Sequence, residues 1–140
     1  MMFFDIHTDI LHDLNSHFPK QRERFLNYHL PQLQKSSLRG GIWTLYSPQD
    51  FNLLKALNNA LSGIVWEELP DFDIVLGLEG LRNLRIEDLE EVYQLGFRHA
   101  MLTWNEENIY ATGVSGSKDR GLTSEGKKLL RKMEGLDMII

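Results

Sequence analysis

His7 and Asp9 stand two residues apart at the close of a β-rich run, Phe3-Phe-Asp-Ile-His-Thr-Asp-Ile10. Alternation along a strand puts residues i and i+2 on the same side, so an imidazole and a carboxylate would point together. A neutral imidazole nitrogen and an ionised carboxylate are good ligands for a first-row divalent metal, zinc above all. Glu79 offers a further carboxylate. It follows the nearly apolar run Asp73-Ile-Val-Leu-Gly-Leu78 and precedes Gly80, and a carboxylate buried there is costly unless paired or bound to a metal. Two strand ends thus supply three donors of the kind used by a hydrolytic metal centre, where the ion lowers the pKa of bound water and polarises a carbonyl. Plainer readings stand beside both: a strand-end hydrogen bond for His7-Thr8-Asp9, and a cap on the next turn for Glu79. Three donors are also fewer than a two-metal site takes.

Other residues offer less chemistry. Gly113-Val-Ser-Gly-Ser-Lys118-Asp119 is glycine-rich, but no strand feeds it and Lys118 is followed by Asp, so it does not read as a phosphate loop. His12 and His17 read as surface or turn residues, His29 as structural beside Pro31, and His99 as internal to a strand. No Ser sits in a nucleophile elbow. Trp43, Trp66 and Trp104 read as core, although Trp104 follows a strand and could wall a pocket.

These donors need elements to hold them. Strand-like and helix-like segments alternate along the chain, the pattern of a parallel α/β sheet. Strands are expected at Phe3–Ile10, Gly41–Tyr46, Asp73–Glu79 and Phe97–Thr103, with a fifth beginning at Met138-Ile-Ile140. The third is apolar nearly throughout, as when both faces are covered. A helix from Pro19 to Tyr28 would carry Phe25 and Tyr28 on one face until Pro31 interrupts it, and Lys20-Gln-Arg22-Glu23-Arg24 reads as its solvated side. Ser47-Pro48-Gln-Asp50 would open a second helix with Phe51, Leu54, Leu57 and Leu61 in line. Ile86 to Leu95 is the best helix, with acids in its first turns and Gly96 at C′. A last helix runs from about Thr123 to Glu134. The stretch from Trp104 to Leu122 is too long for a plain connection. About five parallel strands and four helices fit either a small doubly wound sheet or the opening part of a (β/α)8 barrel.

Composition bounds the function classes. A chain of 140 residues, 42% hydrophobic and 25% charged, is globular and reads as one domain, complete or partial. It has no cysteine, which excludes disulfides, thiolate zinc sites and cysteine nucleophiles, and fits a reducing cytoplasm. A formal net charge of −5 with no basic stripe argues against a nucleic-acid partner. No apolar run approaches membrane-spanning length, and the first residues lack the pattern of a signal peptide.

Four segments in order, Phe4-Asp-Ile-His7-Thr-Asp9, Gly77-Leu-Glu79-Gly80, Leu95-Gly-Phe-Arg-His-Ala-Met-Leu-Thr103 and Gly121-Leu-Thr-Ser-Glu-Gly126, resemble the renal (membrane) dipeptidase family of metallopeptidases over essentially the whole chain. The resemblance implies a (β/α)8 barrel of which residues 1–140 are the N-terminal part. It also implies two zinc ions, and hydrolysis of dipeptides by a hydroxide bridging them. Under it His7 and Asp9 match the first-strand ligands, and Glu79 the carboxylate that bridges the metals. Some members have a substrate-contacting His after the Leu-Thr pair, where this chain has Trp104, so Trp104 becomes the candidate substrate contact. Further ligands are expected beyond Ile140, which implies that the isolated chain is inactive. An exposed sheet edge would favour self-association or pairing with a C-terminal half. Two other readings stay open. One is a non-catalytic half-barrel serving as an interaction or assembly module. The other is an amidohydrolase-like enzyme with a different substrate, though such enzymes usually carry His-x-His where this chain has Asp9.

Overall fold

The computed structural model describes residues 2–48 and 51–140. Four strands, β1 (Phe3–Thr8), β2 (Leu38–Tyr46), β3 (Asp73–Glu79) and β4 (Phe97–Met101), lie in one sheet in sequence order. β1 runs parallel to β2, and β3 to β4. Parallel neighbours require a crossover between them, and helical segments fill each one. The expected α/β succession is therefore present. The expected fifth strand is represented by an isolated parallel bridge between His99 and Ile139. No described helix is long and apolar enough to cross a membrane.

By backbone contacts the chain divides into two compact units, residues 1–45 with 54–75, and residues 46–53 with 76–140. In the first, β1 stops at Thr8 and α1 (Ile10–Ser16) follows at once. This helix was not expected, because the strand signal ran on through Ile10. Its apolar residues Ile10, Leu11 and Leu14 are spaced to share one buried face. The next helical run is continuous: α2 (Gln21–Arg24), a π turn over Phe25–His29, and α3 (Leu30–Lys35). Pro31 was expected to break it. Instead the run continues through Pro31, which follows directly on the wider π turn. The extra residue in that turn also rotates Tyr28 away from Phe25. Phe25 is buried against Trp43, whereas Tyr28 is exposed under the Arg24 guanidinium, 3.6 Å from its ring centre.

β2 begins at Leu38, earlier than expected, because it is already paired with Phe3 there. Of the expected Ser47–Asp50 cap, Gln49 and Asp50 lie outside the described residues. Helix α4 (Leu53–Leu61) buries Leu53, Ala56, Leu57 and Ala60, so its inner stripe is turned from the Phe51-Leu54-Leu57-Leu61 line. A 3-10 turn at Trp66–Glu68 leads to β3 and leaves Trp66 exposed.

In the second unit, the expected helix at Ile86–Leu95 divides into a 3-10 turn (Ile86–Asp88) and α5 (Leu89–Gln94), with Gly96 at φ 99° after it. Leu89 and Val92 face inward with Phe97, Ala100, Leu129 and Met133. α6 (Ser124–Gly135) is capped by Thr123, whose Oγ1 accepts from the Gly126 N–H at 3.0 Å. Between β4 and α6 the backbone is irregular but fastened. Asn108 donates to the Leu102 carbonyl at 2.7 Å and accepts from the N–H groups of Tyr110 and Ala111. The Asn105 carbonyl accepts from Ser115, and the Tyr110 hydroxyl donates to the Leu84 carbonyl at 2.6 Å.

Candidate metal centre

The first donors stand where β1 gives way to α1. His7 is within the strand, and Asp9, expected to be in it as well, has left it: at φ −84° and ψ 28° it is the residue before the helix. The two side chains still meet, with His7 Nε2 3.7 Å from Asp9 Oδ1. A backbone turn at the strand end achieves what alternation was expected to do. Aspartate before a helix usually caps it, yet no α1 amide is capped by the Asp9 side chain. Its Oδ1 lies instead 3.1 Å from the hydroxyl of Thr44 on β2. Thr44 also reaches the Thr8 carbonyl at 3.1 Å and His7 Nε2 at 3.4 Å. The side chains of His7 and Asp9 are 36% and 62% exposed, open enough for exogenous ligands to reach them.

Glu79 ends β3, buried along with Leu76, Gly77 and Leu78. Its carbonyl accepts from the Ser47 N–H, and the chain turns immediately at Gly80, where φ of 73° favours glycine. A carboxylate only 9% exposed needs a cation or donors to remain ionised. Trp104 stands beside Gly80 and is half exposed, so it is not core. Its ring lies 5.1 Å from that of Tyr46, tilted by 57°. Burial first, then the carboxylates of Glu106 and Glu79, push the Tyr46 phenol above its ordinary pKa. Arg82 pairs with Glu106 at 3.2 Å.

His7 and Asp9 stand at the end of β1 in the first unit, and Glu79 at the end of β3 in the second. One imidazole and two carboxylates are the hard-to-borderline donors that a divalent ion such as zinc accepts, so the residues present fit such an ion. Residues 66–140 match the family model for membrane dipeptidases, peptidase family M19.

The chain belongs to the membrane dipeptidase family. Two uncharacterized dipeptidases of Schizosaccharomyces pombe are similar to it. One is 29% identical over 100 residues, covering 69% of this chain and 24% of the relative. The other is 37% identical over 73 residues, covering 48% of this chain and 18% of the relative. The chain thus spans about a quarter or less of the curated relatives it matches. Membrane dipeptidases are metal-dependent enzymes built on (β/α)8 barrels, and the parallel strand order accords with the opening of such a barrel.

The remaining histidines have other surroundings. Asp13 on α1 accepts from Arg24 at 2.7 and 3.1 Å and lies 2.6 Å from His29 Nε2. The His17 ring lies near the Asp13 backbone carbonyl. This cluster joins α1 to the π turn, so His29 is structural as expected, while Arg24 is committed to an ion pair and not simply solvated. Burial raises the Asp13 pKa, but the hydrogen bonds and charges of Arg24 and His29 outweigh it and hold the carboxyl below its usual value. Burial holds His29 below its ordinary value despite Asp13. Sequence reasoning missed both Asp13 and Thr44. A hydroxyl inside the apolar strand Ile42-Trp-Thr44-Leu-Tyr46 was the available signal for the latter.

Proposed function

We propose that the chain supplies part of the active centre of a zinc-dependent dipeptidase, with His7, Asp9 and Glu79 as metal ligands and dipeptides as substrates. The observation that carries this reading is the donor set itself, at the carboxyl ends of β1 and β3 in a member of the membrane dipeptidase family. Carboxyl ends of parallel strands are where α/β barrels hold their chemistry. His7 and Asp9 would hold one ion, and Glu79, with two carboxylate oxygens, is suited to bridge it to a second. A divalent ion bound there supplies Lewis acidity and lowers the pKa of water. The chain's own residues supply the rest. Buried Glu79 contributes negative charge in a poorly solvated setting, which strengthens cation binding. Tyr46 and Trp104 form an aromatic wall next to the Glu79-Gly80 turn, suited to an apolar substrate side chain.

Three donors are fewer than two zinc ions need, so the 140 residues alone are expected to bind metal weakly and to hydrolyse no dipeptide. Zinc-dependent hydrolysis by this chain alone would show that the centre is built differently. The lack of cysteine supports a cytoplasmic setting. The direct test is zinc content, by elemental analysis, in a dipeptidase carrying this segment and its Glu79→Gln variant. Removing the bridging charge should abolish two-zinc loading. Full occupancy in the variant would make Glu79 a structural residue and refute the assignment.

A further inference from the structure

Thr44 is fully buried, and its hydroxyl faces three groups from β1 and the residue after it: the Thr8 carbonyl, Asp9 Oδ1 and His7 Nε2. A hydroxyl has one proton and two lone pairs. With Nε2 protonated, His7 donates to Oγ1. The Thr44 proton is then shared between a carbonyl and a carboxylate, and the charged acceptor makes the stronger bond. One small side chain on the neighbouring strand thereby ties down both candidate ligands.

The alternative open to Asp9 is near at hand. It is the residue before α1, and its carboxylate is the type that accepts from the first amides of a helix. Those are the N–H groups of Leu11 and His12, and the Asp9 side chain does not cap them. We propose that Thr44 is a positioning residue for the metal centre, holding the Asp9 carboxylate beside His7 and away from the cap of α1. This inference rests on His7 and Asp9 being metal ligands, as in the function proposed above.

Thr44→Val keeps the shape and removes the hydroxyl, and Thr44→Ser keeps the hydroxyl and removes the methyl. Zinc titration calorimetry on a dipeptidase carrying this segment, as wild type and as both variants, reads the effect on the ligands. Amide exchange of the metal-free proteins reads the position of Asp9. Loss of an outer partner of a metal ligand typically weakens metal binding about 10–100-fold, and Thr44→Val should do so while Thr44→Ser stays within about three-fold of wild type. In Thr44→Val the amides of Leu11 and His12 should gain protection as Asp9 swings to cap them. A simple packing defect would lower protection throughout α1. Unchanged zinc affinity in Thr44→Val, or equal losses in both variants, would overturn the positioning role while leaving the metal centre intact. No zinc uptake by the wild type would overturn the metal centre, and this role with it.

Discussion

Replacing Tyr110 with Phe removes one oxygen from the interior and tests what fastens the segment between β4 and α6. Tyr110 is fully buried, and its hydroxyl donates to the Leu84 carbonyl at 2.6 Å. Burial, then the carboxylates of Glu87, Glu125 and Asp88, push the phenol pKa up to about 12, so it remains a donor throughout the neutral range. A neutral hydrogen bond contributes about 1 kcal/mol net, and a buried carbonyl left without its donor costs about 1–3 kcal/mol. Leu84 is itself buried, which places the expected loss near 2 kcal/mol. For a chain of this length that corresponds to a fall in Tm of roughly 5–7 °C. Thermal unfolding followed by circular dichroism gives the Tm. Hydrogen exchange should show faster opening of residues 102–123 than of β3 and β4. A fall of less than about 1 °C, with exchange in that segment unchanged, would mean that the Tyr110 hydroxyl does not hold it.

Acid should loosen the junction of α1 and the π turn. Asp13 has a folded pKa below its ordinary 3.8, so its stabilisation is complete above that value and lost as pH falls through the folded one. His29 has a folded pKa below 6.5, so the fold favours its neutral form and stability declines as pH drops from 6.5 toward the folded value. Urea midpoints should therefore fall from pH 7 to pH 5 mainly through His29, and His29→Gln should flatten that slope. Asp13→Asn is expected to lose about 2 kcal/mol at pH 7, as charged hydrogen bonds to a part-buried carboxylate are weakened. Midpoints equal to wild type in that variant would contradict the assigned role. Gly113→Ala should destabilise by about 1–3 kcal/mol, because the new methyl would lie 2.5 Å from the backbone oxygens of Trp104 and Asn105. An unchanged Tm would show that the segment yields there.

The parts legible from sequence are those in which local pattern and tertiary demand agree. The run Ile74–Leu78 is apolar on both faces, so β3 and the charge at its end were readable together, and the last helix was placed from Thr123, the residue that caps α6. His7 and Asp9 were readable as a pair, although the backbone joins them by leaving the strand early. What stayed hidden depends on contacts made at a distance. Ile10, Leu11 and Leu14 carry a helical stripe that the adjoining strand signal masked. Pro31 looked like a break because propensity does not show that a π turn can receive it. Thr44 could not be linked to Asp9 until the pairing of β1 with β2 set them side by side.

The fastened segment after β4 has a thermodynamic consequence for whatever meets Trp104. With Asn105, Asn108 and Tyr110 all engaged, this stretch gives up its conformational freedom when the chain folds, and a ligand resting on the Trp104 ring need not order it again. Binding there is then spared an entropic penalty that a mobile lid would impose, and association should proceed in a single kinetic phase with no slow closing step.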